Sequence, residues 1–280
     1  MRVEPHHFPH LPDWLIYSVV VAGLLAAAIG RQERADAPPP PPPIQGEEAV
    51  PLSPTSPFTE DEVTRVAGRN RVEVGTAFSV GEAGRWLTAR HVVAGCERVA
   101  LIVAEGRGVL ARVATDRAND LALLQTDGGS PGLAVASNPH LQSGDRAFHP
   151  GFPGGQPGEA TSRLLGVQML PGQRRGERPM PVLAWAQTGR TMGLHGSLSG
   201  LSGAPVIDAR GMVIGMTLAE QPRRGRIYTT LPQTLAHSLA KAKLAPAGAP
   251  IGDAVTTENY FRIADALRRD VRVAQVICLT

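Results

Sequence analysis

Short apolar runs alternate with polar breaks over most of the chain, from about residue 60 to residue 245. The runs are rich in Val, Leu, Ile and Thr, and Gly, Pro, Asn and Asp separate them at a spacing of about ten residues. No long stretch of this region shows the period of an amphipathic helix. The pattern predicts an all-β domain of short strands over residues 58–245, which is long enough to bury its own core.

The pattern changes in the last part of the chain, residues 246–280. Apolar residues there first recur at helical spacing, and an alternating run then follows up to residue 279. The predicted helix has one apolar face, formed by Tyr260, Phe261, Ile263, Ala264 and Leu267. We therefore expect a C-terminal extension that packs on the domain as an extra helix and strand.

Near the start of the chain, residues 14–30 are uninterrupted by charge. A helix of this length extends about 25 Å, which is the short limit for crossing a bilayer. We predict a transmembrane anchor here, preceded by a short tail over residues 1–13. The alternative is a signal peptide cleaved at residues 35–37 (ADA), but charged residues lie before that site and Pro38 follows it.

Proline dominates the next segment, residues 31–57, and is unbroken from 38 to 43. Such a run adopts extended polyproline II at about 3.1 Å per residue and acts as a semi-rigid spacer. The linker is expected to hold the folded domain away from the bilayer.

Three strings within the β-rich region carry candidate chemistry. They are residues 88–93 (TARHVV), residues 119–124 (NDLALL) and residues 200–206 (GLSGAPV). Attack of a serine hydroxyl on a carbonyl needs a base, an acid that orients the base, and donors for the oxyanion that forms. Each string can supply one of these parts.

The order of the strings assigns the roles. His91 is the candidate base, Asp120 is the acid that would orient it, and Ser202 is the candidate nucleophile. Taken singly, each is more often a packed, capping or turn residue, so the prediction depends on their occurring together. An α/β-hydrolase would run Ser, acid, His and carry Gly-x-Ser-x-Gly, whereas Ala204 stands two positions after Ser202.

Glycines on both sides of the serine favour a tight turn. With Gly200 before it and Gly203 after it, the amide hydrogens of Gly200 and Ser202 can converge on one oxyanion. Ser199 is a rival nucleophile in a preceding Leu-Ser-Gly, but Ser197 rather than glycine lies two positions before it. A Gly/Ser turn without chemistry is the plain alternative.

These strings resemble those of the trypsin-like (chymotrypsin-fold) serine proteases, and most of all the bacterial HtrA-type branch. The resemblance is carried by residues 75–80 (GTAFSV), 87–93 (LTARHVV), 120–124 (DLALL), 151–154 (GFPG), 187–188 (QT), 200–206 and 211–216 (GMVIGM). It implies two six-stranded antiparallel β-barrels with the active site between them, His91 and Asp120 in the first and Ser202 in the second. HtrA-type proteins usually carry a PDZ domain after the protease, and the residues after 246 are expected to be too few for one.

The resemblance also implies a substrate pocket beside the serine. The position six before Ser202, where a trypsin keeps its selecting aspartate, is Gly196, which argues against strict Lys or Arg specificity. Met216, Thr217 and Leu218 would line the far wall and favour a modest apolar side chain. A plain core strand is the alternative interpretation of those three residues.

The net charge and the cysteine content bear on the partners of the protein and on the compartment in which it folds. A formal net charge of +3 is too small to indicate a nucleic-acid partner. Cys96, five residues after His91, and Cys278 are the two cysteines. A disulfide between them would pin the C-terminal segment beside the histidine and would require an oxidising compartment, whereas two unrelated buried thiols are the alternative. No metal site is expected, because the histidines of residues 6–10 lie across the predicted anchor from both cysteines.

Together these features predict a membrane-anchored serine endopeptidase that cleaves a polypeptide substrate through an acyl-enzyme intermediate, without a cofactor. The resemblance and the cysteines favour a single-pass protein of the inner (cytoplasmic) membrane with its protease domain on the periplasmic or outer face. Two arginines, Arg31 and Arg34, follow the span, whereas Arg2 precedes it. Because basic residues that flank a span are enriched on its cytoplasmic side, this count favours a protease domain in the cytoplasm. The alternatives are a catalytically idle peptide-binding module of the same fold and a tethered scaffold whose linker recruits a partner.

Overall fold

The computed structural model describes residues 14, 18–23, 57–65, 74–116, 119–171, 178–245, 248, 251–252 and 254–279. The chain divides into two units, Met1–Ala35 and Asp36–Thr280. In the first unit, residues 14 and 18–23 are helical and exposed. Within the part of the chain that is described, no helix is both long and apolar enough to cross a membrane. The predicted linker lies outside the described residues, except for Pro57.

The second unit contains two closed barrels, each of six antiparallel strands, which confirms the predicted architecture. The strands of the first sheet are β1 (Val63–Arg65), β2 (Val74–Ser79), β3 (Arg85–Ala89), β4 (Arg98–Ala104), β5 (Arg107–Asp116), β6 (Leu121–Gln125) and β13 (Val273–Leu279). They pair in the order β1-β5-β4-β13-β2-β3-β6, and a further pairing of β5 with β6 closes the barrel. Strand β1 lies outside the closed ring, on β5.

The second barrel follows in sequence. Its strands are β7 (Arg146–Gly151), β8 (Gly158–Leu170), β9 (Met180–Arg190), β10 (Pro205–Ile207), β11 (Val213–Gln221) and β12 (Arg226–Thr229). They close in the order β10-β11-β12-β9-β8-β7, and the pairing of Ile207 with Phe148 joins β10 to β7. Strand β10 begins three residues after Ser202, so this barrel carries the candidate nucleophile.

A buried tryptophan lies in the core of each barrel. Trp86 on β3 belongs to the larger apolar cluster, and Trp185 on β9 to the cluster inside the second barrel. Each indole N–H donates to a buried threonine hydroxyl, Trp86 to Thr126 at 3.0 Å and Trp185 to Thr229 at 2.9 Å. Because the polar edge of each ring is paired, both rings can be fully buried without an unsatisfied donor.

The described residues of this unit include three α-helices: α1 (Arg90–Val93), α2 (Pro232–Lys241) and α3 (Tyr260–Arg269). The sequence pattern missed α2, which starts on Pro232 and buries Leu235 and Leu239. Proline in the first turn costs no hydrogen bond, because that amide has no partner within the helix. Helix α3 and strand β13 correspond to the helix and strand expected for residues 246–280.

Strand β13 lies between β2 and β4 and pairs antiparallel with both. In this register Gln275 stands opposite Thr76 on one side and Ile102 on the other. The sequence predicted a strand that packs on the domain, and the structure makes it one of the six strands that close the barrel. Without β13, the facing edges of β2 and β4 would present unpaired backbone groups.

A disulfide holds β13 in this place. Cys96, in the turn after α1, is bonded to Cys278, with a Cα–Cα distance of 5.2 Å and a sequence separation of 182 residues. The bridge joins the end of β13 to the segment that follows His91, as expected from the two cysteines.

Helix α3 fastens the same segment to the second barrel through a buried ion pair. Arg268 Nη2 lies 2.9 Å from Glu159 Oε2, and the two side chains are 9% and 4% exposed. Arg268 Nη1 also donates to the carbonyls of Gly151 and Gly158, at 3.4 and 3.2 Å. Burial raises the pKa of Glu159, although the Arg268 charge acts in the opposite direction. The C-terminal segment thus contacts the second barrel through α3 and completes the first barrel with β13.

Removing the disulfide should destabilise the protein. In the chain-entropy model, closing a loop of this length stabilises the folded state by about 5 kcal/mol. We expect the Cys96→Ser/Cys278→Ser variant to unfold at a clearly lower urea concentration than the oxidised wild type. Dithiothreitol should lower the wild-type midpoint and leave that of the double variant unchanged. Identical midpoints for the oxidised and reduced wild type would contradict this expectation.

Candidate active site

His91 lies where strand β3 gives way to helix α1. The strand ends at Ala89 in an extended conformation, and α1 follows as a single turn whose Val92 and Val93 are buried. Those two valines anchor the turn to the core, so the His91 side chain is left at the surface, 27% exposed. A histidine placed this way has a fixed backbone and an accessible ring.

Asp120 holds the His91 ring. Its Oδ2 lies 2.7 Å from His91 Nδ1, and its Oδ1 accepts from the His91 backbone N–H at 3.2 Å. Arg90 contributes its backbone N–H to the Asp120 carbonyl at 2.9 Å, and its Nε lies 3.4 Å from Oδ1. Because an ionised carboxylate only accepts, Nδ1 carries the proton and Nε2 of the neutral ring is left as an acceptor.

The backbone of Asp120 is itself unusual. Its φ of +51° lies in the left-handed region, immediately before β6 begins at Leu121. Aspartate tolerates this region better than most residues with a Cβ. The turn allows the carboxylate to meet His91 while the following residues enter the barrel.

Ser202 lies in a tight turn before β10. The amide of Leu201 donates to Leu198 O and that of Ala204 to Leu201 O, both at 2.9 Å. The Ser202 hydroxyl donates to Leu218 O at 3.3 Å. A hydroxyl has one proton, so Ser202 Oγ must turn away from Leu218 to donate to His91 Nε2.

The serine turn packs directly against the strand that carries His91. A Cβ placed on Gly203, which has φ +88°, would lie 2.4 Å from Thr88 Oγ1 and 3.0 Å from Ala89 N. Only glycine fits so close to another backbone. The residue after Ser202 therefore lies against Ala89, two positions before His91, and His91 in turn contacts Asp120.

Two backbone amides beside Ser202 are free to bind an anion. Gly154 N–H donates to Ser199 O at 2.5 Å, which directs the Gly200 N–H of that trans peptide to the opposite side. Within the described residues, neither the Gly200 N–H nor the Ser202 N–H donates to a protein acceptor. Gly200 has φ +97°, and a Cβ there would lie 2.4 Å from Phe152 O. The sequence predicts these two N–H groups as oxyanion donors, and that role stays a prediction.

Thr76 on β2 supports this turn, and sequence reasoning did not single it out. Its hydroxyl donates to Gly200 O at 2.8 Å and accepts from Phe152 N–H at 3.0 Å. Its backbone N–H donates to Ser202 O at 2.9 Å, and its own carbonyl accepts from Thr88 Oγ1 at 2.7 Å. The side chain is fully buried. Thr76 lies within residues 75–80, one of the strings that carry the resemblance, but no local pattern distinguished it from its neighbours.

The four predicted pocket residues lie in different surroundings. Met216 and Leu218 are buried in the larger core cluster, as the core-strand alternative expects. Thr217 is also buried, and its hydroxyl lies 3.1 Å from His149 Nδ1. Gly196 is exposed with φ +75°, and no atom lies within 4 Å of a Cβ built there.

His149 on β7 is a second histidine that sequence reasoning missed. It is completely buried between Thr217 Oγ1 and Ser162 Oγ, the latter 2.7 Å from Nε2, with its ring edge against Trp185. Burial lowers the pKa of His149 from 6.5 to about 3, so the ring is neutral. A neutral ring offers one donor and one acceptor, and the two hydroxyls satisfy both. His149 thereby fixes Thr217, whose carbonyl accepts from Gly203 N–H in the serine turn.

Known proteins are similar to this chain over the region that contains the candidate site. A family model described as a trypsin-like peptidase domain matches residues 75–216, a range that contains His91, Asp120 and Ser202. A protein of Synechocystis sp., named as the serine protease HhoA, is 31% identical over 161 residues. The match covers 55% of this chain and 38% of the relative, so the chain spans well under half the length of that protein.

Two solved structures are similar to this chain. The inactive form of the Rv3671c protease, from M. tuberculosis, superposes with a TM-score of 0.50 at 24% identity, over 67% of this chain and 89% of that one. A complex of the HtrA-type protease AlgW with a decapeptide gives a TM-score of 0.48 at 23% identity, over 60% of this chain and 50% of that one. The first of these comparisons shows a shared fold.

Replacing Thr76 by Val should disturb the serine turn more than it disturbs the fold. The variant keeps the shape but loses the hydroxyl bonds to Gly200 and Phe152, which should lower the free energy of unfolding by about 2 kcal/mol. The rate at which a fluorophosphonate labels Ser202 should fall roughly tenfold, because the oxyanion donors are less well held. Thr76→Ser keeps the hydroxyl and should label at nearly the wild-type rate. Equal labelling rates for the Val and Ser variants would contradict this role.

Acid should destabilise the protein through His149. Below pH 6.5 the unfolded chain binds a proton at this residue that the folded protein excludes until about pH 3. The contribution of neutral His149 is therefore complete above pH 6.5 and is lost as the pH falls from 6.5 toward 3, with a slope approaching about 1.4 kcal/mol per pH unit.

Urea denaturation at several pH values between 7 and 4 measures this slope. His149→Gln should show a shallower pH dependence than the wild type, while His195→Gln, at an exposed position, should not change it. The raised pKa of Glu159 favours the folded state as the pH falls, and this contribution is common to all three proteins. Parallel curves for wild type and His149→Gln would show that His149 is not the cause.

Proposed function

Because the chain belongs to the trypsin-like peptidase family, we propose that it is a serine endopeptidase with Ser202 as nucleophile, His91 as base and Asp120 as the residue that orients it. One observation carries the proposal: the 2.7 Å contact of Asp120 Oδ2 with His91 Nδ1, beside a glycine-framed serine turn. The contact fixes the ring in the tautomer that can accept the Ser202 proton.

Acylation uses the groups in turn. Ser202 Oγ turns from Leu218 O to His91, gives its proton to Nε2 and attacks the carbonyl carbon of the scissile peptide bond. The carbonyl oxygen becomes an oxyanion and accepts from the Gly200 and Ser202 N–H groups. His91 then gives the proton to the leaving amine, the C–N bond breaks, and the acyl chain stays on Ser202.

Deacylation repeats these steps with water. His91 Nε2 takes a proton from a water molecule, and the resulting hydroxide attacks the ester carbonyl. The oxyanion again binds the Gly200 and Ser202 amides, and His91 returns a proton to Ser202 Oγ as the carboxylic acid leaves. Asp120 stays ionised throughout and stabilises the imidazolium that forms twice in each cycle.

We propose further that residues 14–30 anchor the enzyme in the inner membrane, with the protease domain on the periplasmic or outer face and residues 31–57 as the spacer. The uncharged length of the first segment supports a membrane span. The Cys96–Cys278 bridge supports an oxidising compartment, and it weighs against the arginines after the span, which favour the cytoplasmic side.

A second candidate is a module of the same fold that binds peptides without cleaving them. The observation that favours it is the bond from the Ser202 hydroxyl to Leu218 O, which withholds the proton from His91. Reaction with a fluorophosphonate separates the two candidates, because only an activated serine reacts quickly.

Replacing Ser202 by Ala should abolish proteolysis and leave the fold intact. Loss of a triad serine typically lowers kcat by about 10⁶-fold. Cleavage of an unfolded protein substrate, followed by gel electrophoresis, measures the effect, and circular dichroism checks the fold. Ser199→Ala, three residues away and exposed, is the matched control and should keep wild-type activity. Activity in the Ser202 variant with loss in the Ser199 variant would reassign the nucleophile.

A further inference from the structure

Glu220 holds the loop that leads to Ser202. This residue lies near the end of β11, and its Oε1 accepts from Leu198 N–H at 2.6 Å and from the Ser197 hydroxyl. Ser197 and Leu198 stand five and four positions before Ser202. The carboxylate therefore spans from β11 to the loop immediately before the candidate nucleophile.

The same strand reaches the nucleophile directly. Leu218, two residues before Glu220 on β11, supplies the carbonyl that lies 3.3 Å from Ser202 Oγ. Glu220 follows two residues later, after an irregularity in the pairing of β11 between Thr217 and Ala219. Its carboxylate bridges β11 and the loop of residues 196–199.

The charge of Glu220 is not neutralised by the protein. Within the described residues, no Arg or Lys nitrogen lies within 4 Å of its carboxylate. Arg190 is engaged elsewhere, with Gly196 O and Gln187 Oε1, each at 2.7 Å. The bonds from Ser197 and Leu198 both use Glu220 Oε1, which leaves Oε2 for another donor.

The space beside this carboxylate is open. Ser197 is exposed and Glu220 is partly exposed, and Gly196 has neither a side chain nor a neighbour within 4 Å of the Cβ position. The apolar side chains that the sequence assigned to the pocket wall, Met216 and Leu218, are buried in the core instead. Among residues 196–199 and the residues of β11, Glu220 carries the charged side chain, and the Arg190 guanidinium reaches Gly196 O at 2.7 Å.

We propose that Glu220 determines specificity by binding the Lys or Arg side chain of the substrate residue whose carbonyl Ser202 attacks. The proposal rests on the serine endopeptidase function proposed above. A carboxylate fixed by two hydrogen bonds on one oxygen presents the other in a set position, where a substrate ammonium or guanidinium makes a charge-assisted bond. The resemblance places a selecting acid at the position of Gly196, where this chain has no side chain. In this proposal Glu220 on β11 supplies that carboxylate.

Matched peptides test this directly. Two substrates that differ only in arginine or its neutral analogue citrulline at the attacked residue should differ about 10- to 100-fold in kcat/KM with the wild type. Glu220→Gln keeps an oxygen that can accept from Leu198 N–H but loses the charge, so the preference should disappear. Glu105→Gln, at an exposed position on the first barrel, should keep it. If Glu220 only supports the loop, Glu220→Gln will slow both peptides equally, and that result would overturn the proposal.

A binding measurement separates this inference from the proposed activity. The Ser202→Ala variant should bind the arginine peptide about 10- to 100-fold more tightly than the citrulline peptide by calorimetry, and Ser202→Ala/Glu220→Gln should bind both alike. Equal affinities in the Ser202→Ala variant would overturn the role of Glu220. Fluorophosphonate labelling of the wild type reports separately on the enzyme, since its failure would remove the proposed activity while leaving the binding result to stand.

Discussion

The backbone hydrogen bonds of β13 close the first barrel, and the candidate site depends on that closure. Strand β13 pairs along β2 on one side and β4 on the other. The barrel that it completes carries His91 and Asp120. Each ladder satisfies backbone donors and acceptors that would otherwise be unpaired at a sheet edge. The disulfide at Cys278 keeps the strand in register at its far end.

The same strand reaches the serine turn by two routes. Gln275 stands opposite Thr76, whose hydroxyl and amide hold the carbonyls of Gly200 and Ser202. The Gln275 side chain also donates to Gly155 O at 3.1 Å, and the neighbouring Gly154 N–H holds Ser199 O. The geometry of the oxyanion donors therefore depends on contacts that begin in the last strand of the chain. Preorganised donors of this kind act only if their supports are rigid.

Several buried polar groups near the site lie against polar partners. His149 stays neutral between two hydroxyls, and Glu159 is paired with Arg268. Asp120 is bonded to His91 and lies beside Arg90. Glu220 differs, because its carboxylate is partly exposed and accepts hydrogen bonds from the loop that precedes Ser202. That contrast is the reason for proposing that Glu220 binds a substrate side chain in addition to holding the loop.

From the sequence alone came the prediction of an all-β domain, three candidate residues in a stated order, a disulfide between the two cysteines with free buried thiols as the alternative, and a helix and strand near residue 280. These follow from local patterns: apolar alternation defines strands, and glycines around Ser202 define a turn. Alternation does not say which strands are neighbours, so the place of β13 between β2 and β4 came only from the tertiary structure. Thr76, His149 and Glu220 were missed for the same reason. Their roles arise from contacts with residues 124, 68 and 22 positions away, which no local pattern encodes.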